Sequence, residues 1–524
     1  MDVWARRIGL LACGLLVRAL AAAQPAGPST LPAETKYLAV VQRACNALLE
    51  NARDNYGEQH SGMIISLLDR QTGKPLLELV PPTGNNRPPG VRETDDVPIG
   101  GCNTNLQLDL YRCFVHLSRL TGDPRYADAA RQAMVDFMRI TQNPKTGLLA
   151  WGEHLSWDCL KDKIGAPPHR VPDEGHNRAY IHEPKRKFLF YNELLEWNGP
   201  GALNYARGLW EHQICDQKTG DFSRHAAYDK HEPGSGFDFQ KEGSYFIDTW
   251  SQAYAKTHDD YYANAVRVLA TRYLNMMNDL NLLDSETGRP ERKNWCMPEW
   301  MLSLAMESAD AAGRMDPQTA ELLRKLTARL DDGFLRLDHA PQDPKLGFLV
   351  LVDTSTGKAR PYPKRGGNGY SRIWGLGYGT NSASMLATLC YTRQGQLGKG
   401  DQANAYRKLV LAAAKVYQQA PPDTNKNSVW AGEYGLAIFA ELAAYRLTDE
   451  AAYLDTARKI ADSAIDVLWE GGSPLPRASW GEKEKRVDYY DAVTYPDTLI
   501  LSLLALHEAC AGLPPKVEIS DLIR

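Results

Sequence analysis

Little in this sequence points to a highly charged macromolecular partner. Lys and Arg number 60 against 64 Asp and Glu, a formal charge of −4 over 524 residues. That imbalance is too small for a nucleic-acid or anionic-membrane surface, so neither partner is expected. The nine cysteines are scattered, with no CxxC pair and no zinc-ribbon spacing. Most are expected to be buried thiols; one or two disulfides are allowed, and spacing assigns none of them. The sequence contains no HExxH helix and no GxSxG elbow, so two common signatures of metal-assisted and serine hydrolysis are missing. No metal site or other cofactor is expected. Past the N-terminus no apolar run reaches membrane-spanning length. Phenylalanine is sparse as well, 11 residues against 25 Tyr and 12 Trp. Rings with a polar handle suit a wet, aromatic-lined site.

What is present begins with "MDVWARRIGLLACGLLVRALAAAQPAG". Arg6 and Arg7 precede an apolar run that ends in Ala21-Ala22-Ala23, the pattern of an export signal with a small-residue cleavage site. Residues 1–23 are therefore expected to be a signal peptide, and residues 24–524 a single domain in a secreted or periplasmic protein.

Three segments repeat one pattern: "LSRLTGDPRYADAARQAM", "SQAYAKTHDDYYANAVRVL" and "LAAYRLTDEAAYLDTARKI". Each ends an amphipathic helix, turns through Thr and an acidic residue, and starts a second helix whose first turn carries a Tyr. The spacing from Thr121 to Tyr126, Thr257 to Tyr262 and Thr448 to Tyr453 is the same. Acidic residues at these turns suit helix N-termini. Apolar residues at helical spacing predict about fourteen helices, paired as 103–121 with 124–142, 186–197 with 199–216, 243–257 with 259–279, 294–313 with 316–336, 376–394 with 402–420, and 428–446 with 449–469. The last, 494–512, would pair with the first, 37–57. Such closure predicts an all-α fold, an α/α toroid of about six to seven helical hairpins; the alternative is an open helical-repeat scaffold.

Links within pairs are short, whereas those between pairs are long and rich in polar groups. In a ring of hairpins these long links emerge on one face, and long loops in a compact domain are usually functional. Seven of the twelve histidines fall between His154 and His231. The stretch "GHNRAYIHEPKRK" (175–187) alone holds two histidines, an amide, a tyrosine and four cations, and "SRHAAY" follows with Arg224, His225 and Tyr228.

Two chemistries fit. Glu153, Asp158, Glu183, Glu242, Asp248, Glu299, Glu433 and Asp491 lie at or near the starts of proposed inner helices, and two facing carboxylates could hydrolyse a glycoside. Cleavage of a uronate polymer by β-elimination instead needs Arg, Asn or a protonated acid on the substrate carboxylate. It also needs a base at C5 and an acid at the departing O4, for which His and Tyr serve.

In ring architecture and in His176-Asn177 followed by Arg224 and Tyr228, the chain resembles toroidal polysaccharide lyases such as those cleaving alginate and glucuronan. It departs from them in the His-then-Asn order and in the shorter Arg-to-Tyr gap; Arg372 and Tyr378 have the more usual gap. The resemblance implies a lyase acting on an anionic polysaccharide or oligosaccharide. It implies that Asn177 and Arg224 neutralise the carboxylate, that His176 or His225 takes the C5 proton, and that Tyr228 protonates the leaving oxygen, with Tyr245 the next candidate. Arg186, Tyr245, Trp295, Tyr370, Arg372, Tyr378 and Trp430 are expected to line sugar subsites. A glycoside hydrolase, including an unsaturated uronide hydrolase, is the first alternative. A sugar epimerase and a non-catalytic glycan-binding protein follow.

Overall fold

A computed structural model describes residues 35–77, 99–152, 155–165, 181–231, 238–285, 293–361, 367–374, 382–422, 429–481 and 487–519. The expected signal peptide lies outside the described residues.

Fourteen α-helices occur among the described residues. They are α1 (Lys36–Asn51), α2 (Leu108–Thr121), α3 (Pro124–Thr141), α4 (Tyr191–Trp197), α5 (Gly199–Gly208), α6 (Gln240–Thr257), α7 (Asp260–Met276), α8 (Pro298–Ala312), α9 (Pro317–Leu335), α10 (Ala383–Leu397), α11 (Asp401–Tyr417), α12 (Ala431–Thr448), α13 (Ala451–Leu468) and α14 (Pro496–Cys510). The even-numbered helices form the inner layer. α4 packs on α6, α6 on α8, α8 on α10, α10 on α12, α12 on α14, and α14 on α2. Arg112 of α2 reaches Glu193 of α4 and completes the circle. The odd-numbered helices form the outer layer, with α1 docked on α14. The fold is an α/α toroid of seven hairpins, closed by its first and last helices.

Burial follows from this placement. Inner helices such as α12 and α14 are apolar and buried on nearly all sides, while outer helices such as α3 and α9 bury one stripe and turn charged residues outward. The three repeated turns share one hydrogen-bond scheme. Thr121, Thr257 and Thr448 each donate their hydroxyl to the carbonyl four residues back, and each accepts from the N–H two residues on. The residue between lies in the left-handed region: Gly122, His258 and Asp449. Asp123 and Asp259 then cap the following helices, and Tyr126, Tyr262 and Tyr453 are buried.

Several helix boundaries differ from expectation: the first helix ends at Asn51 rather than 57, α2 starts at Leu108 rather than 103 and α10 at Ala383 rather than 376, and two further differences have a visible cause. The helix expected to start at 186 starts at Tyr191, because the Asn105 side chain accepts from the Lys185 N–H at 2.6 Å and donates to the Arg186 carbonyl at 3.3 Å. That holds the backbone extended. The helix expected to run to 216 leaves α geometry after Gly208, passes through a π turn at 209–213 and enters a strand. A Cβ on Gly208 would stand 2.1 Å from the Thr146 carbonyl oxygen, so this close crossing needs glycine.

All inner helices start on the face that carries the long links. Among the described residues six small antiparallel sheets stitch those links into a layer: β1 (Leu67–Leu68) with β14 (Tyr490–Asp491); β2 (Gly101–Cys102) with β3 (Ser156–Asp158), which also pairs with β4 (Lys163–Gly165); β5 (Ile181–His182) with β8 (Ala226–Ala227); β6 (Ile214–Asp216) with β7 (Asp221–Phe222); β10 (Val352–Asp353) with both β9 (Trp295–Cys296) and β11 (Lys358–Ala359); and β12 (Val429–Trp430) with β13 (Ser479–Trp480). Most join links that are far apart in sequence, so the layer is built only when the ring closes.

Candidate active site

The β5–β8 ladder assembles an ionisable cluster on this face. Its register pairs Ile181 with Ala227 and His182 with Ala226. One step further along, Glu183 comes opposite His225, whose Nε2 lies 2.6 Å from Glu183 Oε2. Arg224 Nη1 pairs with Glu183 Oε1. Glu183 is 1% exposed, and a buried carboxylate needs such compensation. Its strand is fixed from behind by Gly152, which bridges to Glu183 and is gripped by the Asn103 side chain at 2.6 Å. The Arg224 guanidinium stacks over Phe239 at 4.0 Å, and Phe239 packs on Trp300 of α8. These contacts leave Arg224 little freedom to move.

Glu242, in the first turn of α6, completes the cluster. Burial pushes its carboxyl up to about 7, opposed by Lys241 and reinforced by the negative charge of Glu183. One buried acid is therefore held ionised by Arg224 and His225, and its neighbour is half protonated near neutrality. Environments that separate two such groups are how one site keeps an acid and a base.

One helical turn on, Tyr245 links this cluster to a second. Burial raises its hydroxyl well above the usual range, and it feels the charges of Glu242, Glu307 and Arg186; its hydroxyl approaches the Lys185 carbonyl at 3.4 Å. Arg186 lies against Asp109 at 3.3 Å and stacks over Tyr495 at 4.0 Å. Tyr495, with φ of +57°, also packs beside Trp430. Asp497, buried beneath, is pushed up to about 7 by burial.

The expected residues divide accordingly. Arg224 and His225 meet at Glu183, and Tyr245, Arg186 and Trp430 form the adjoining group, all three below the surface layer. Tyr228 follows β8, but its ring is in the core and its hydroxyl donates to the Thr141 carbonyl at 2.6 Å. Trp295, under the Arg360 guanidinium at 5.2 Å, lies on the β9–β10 ladder, and Tyr370 and Arg372 make isolated bridges to Leu349 and Ser382. His176, Asn177 and Tyr378 lie outside the described residues. His182 is buried and neutral: desolvation lowers it to about 3, and its Nε2 accepts from the Trp151 indole at 3.1 Å. Of the eight acids proposed from sequence, Glu183 and Glu242 converge. Asp248 pairs with Arg314 and Lys187 deeper in the ring, and Glu153 lies outside the described residues. No local signal distinguished Glu183 and Glu242 from the rest.

A groove of about 470 Å³ on outer helix α7 carries Lys218, Arg267 and Arg272. Both arginines are tied to carboxylates, Asp260 and Asp316 for one, Asp221 and Asp238 for the other, so it offers no net positive field.

Residues 90–271 match the family model described as periplasmic pectate lyase. The match covers about a third of the chain and spans Glu183, Arg224, His225, Glu242 and Tyr245. It indicates a carbohydrate-active enzyme. Solved structures similar to this chain include a sugar epimerase from a ruminal bacterium, at 12% identity and TM-score 0.46, covering 73% of this chain and 96% of that one. A D-mannose isomerase matches at 8% identity and TM-score 0.47, covering 90% and 98%. The GH76A α-1,6-mannanase from Salegentibacter sp. HEL1_6 matches at 10% identity and TM-score 0.42, covering 91% and 99%.

Proposed function

We propose that this protein cleaves a uronate-containing polysaccharide by β-elimination at the Glu183–Arg224–His225–Glu242 cluster. The observation that carries the reading is a single buried carboxylate, Glu183, that orients both a guanidinium and an imidazole. Arg224, its planar fork fixed between Glu183 and Phe239, binds the substrate carboxylate and stabilises charge developing at C5. Protonated Glu242 shares that carboxylate. His225, with Nε2 on Glu183, presents Nδ1 as the base for the C5 proton, and Glu183 stabilises the resulting imidazolium as the carboxylate of a triad does. Tyr245, protonated at neutral pH, donates to the departing O4. By the resemblance to toroidal lyases, Asn177, four residues before β5 in sequence, is assigned the amide that binds the substrate carboxylate. Trp295, Tyr370, Arg372 and Tyr378 contribute to outlying sugar subsites, and Trp430, buried beside Tyr495, backs the adjoining group.

The match to periplasmic pectate lyases makes pectate the first substrate to try and supports a location in the periplasm or outside the cell. In galacturonate the C5 proton and the axial O4 lie on opposite ring faces, so base and acid must be separate groups, as His225 and Tyr245 are. Incubation with polygalacturonate, alginate, polyglucuronate and glycosaminoglycans, followed by ultraviolet absorbance of the C4–C5 double bond, tests the reading. One observation favours hydrolysis instead: Glu183 ionised beside a half-protonated Glu242 is also an acid and base pair. New reducing ends without the absorbance would select that reading.

A further inference from the structure

We infer that Cys102 and Cys159 are joined by a disulfide when the chain folds in an oxidising compartment. Cys102 ends β2 and Cys159 follows β3; the ladder between them pairs Gly101 with Asp158 and Cys102 with Trp157. The Cys159 N–H donates to the Gly100 carbonyl at 2.9 Å, so the two cysteines sit diagonally across one sheet with their side chains on the same face. Their sulfur atoms lie 2.9 Å apart, both buried. As thiols they crowd each other, and a small rotation of the side chains brings them to the bonded distance of about 2.05 Å.

Neither thiol has another use in the cluster described above. Burial raises both thiols, Cys159 well above its ordinary value, so in the closed layer neither is a reactive thiolate. Each thiol loses one proton and one electron, the Sγ–Sγ bond forms, and the disulfide of a dithiol oxidase is reduced to two thiols.

The location gives the bond a consequence. It links the α1–α2 loop to the α3–α4 loop, across 57 positions of chain. Asn103, the neighbour of Cys102, holds Gly152, and Gly152 holds Glu183. A Cβ on Gly152 would stand 1.7 Å from the Glu183 carbonyl oxygen, so this support has no slack. The crosslink pins the strand behind the candidate site, whatever reaction that site performs.

The test is a peptide map of the full chain purified from an oxidising compartment, alkylated while unfolded and without reductant. The expected result is a linked pair of peptides containing Cys102 and Cys159, two hydrogen masses below the sum of the free peptides and lost on reduction. Recovery of both cysteines as alkylated thiols would overturn the proposal. In parallel, Cys102→Ser/Cys159→Ser should melt several degrees below the oxidised protein and alongside the reduced one. An unchanged melting point in that variant, with no loss on reducing the parent, would count equally against it.

Discussion

Two buried glutamates on inner helices set the loop-bearing end of the ring apart from its wall. Glu242 is in the first turn of α6, where the links meet; Glu441 is in the third turn of α12, inside the toroid. Both are essentially unexposed, and burial raises both, Glu242 to about 7 and Glu441 to about 9. Glu242 feels Lys241, Glu183 and Arg224, whereas burial is the sole cause acting on Glu441, whose carboxyl oxygens find no hydrogen-bond partner among the described residues. A displaced acid is therefore informative only through its neighbours. At α6 it is one member of a charged constellation, and at α12 it is a neutral side chain filling space at a cost.

The comparison can be broken at several points. The largest effect is expected at the α6 end: His225→Ala should lower kcat/KM about 1,000-fold, the scale of a lost general base, with a melting point near that of the parent. Activity within a few-fold of the parent would make the cluster structural.

Next comes pH. The folded state holds the Glu242 proton to about 7, while the unfolded chain releases it near 4.5. Stability from this group is thus greatest at low pH and falls by about 3 kcal/mol as pH rises from about 4.5 to about 7. Activity should decline above about pH 7 as the shared proton is lost. Glu242→Gln should flatten both profiles over that window; an unaltered activity profile would remove Glu242 from the reaction.

At the wall, Glu441→Leu should stabilise the protein by about 2 kcal/mol at neutral pH, because it replaces an uncompensated buried acid with apolar volume. Denaturant unfolding at pH 7 reads this, with kcat/KM unchanged; destabilisation would imply a hidden partner for the carboxyl.

The smallest effect is expected at Tyr228→Phe. Losing one buried hydrogen bond to the Thr141 carbonyl should cost about 1 kcal/mol and leave turnover near normal. Abolished turnover at unchanged stability would restore Tyr228 as the proton donor.

The ring was readable from sequence because its information is local. Apolar spacing marks each helix, and the Thr-x-acidic turns carry their own hydrogen bonds within six residues, so they repeat as motifs. Two of the boundary errors arose where a distant group intervened: Asn105 on the backbone before α4, and Thr146 against Gly208. The candidate site was legible in part. Composition singled out the segment from 154 to 231, which does contain Glu183, Arg224 and His225. It could not indicate that Arg224 and His225 would converge on Glu183, because a two-residue ladder joins segments about forty positions apart. Nor could it show that the Tyr228 hydroxyl is turned into the core.

By itself, then, the sequence determined an all-helical ring of hairpins whose long polar links lie on one face, since hydrophobic period and turn chemistry act between near neighbours. Only the tertiary structure decided which acids keep their protons, which cysteines meet and which cations find a carboxylate. Those outcomes depend on burial and on distances of a few ångströms between links that come together only when the ring closes.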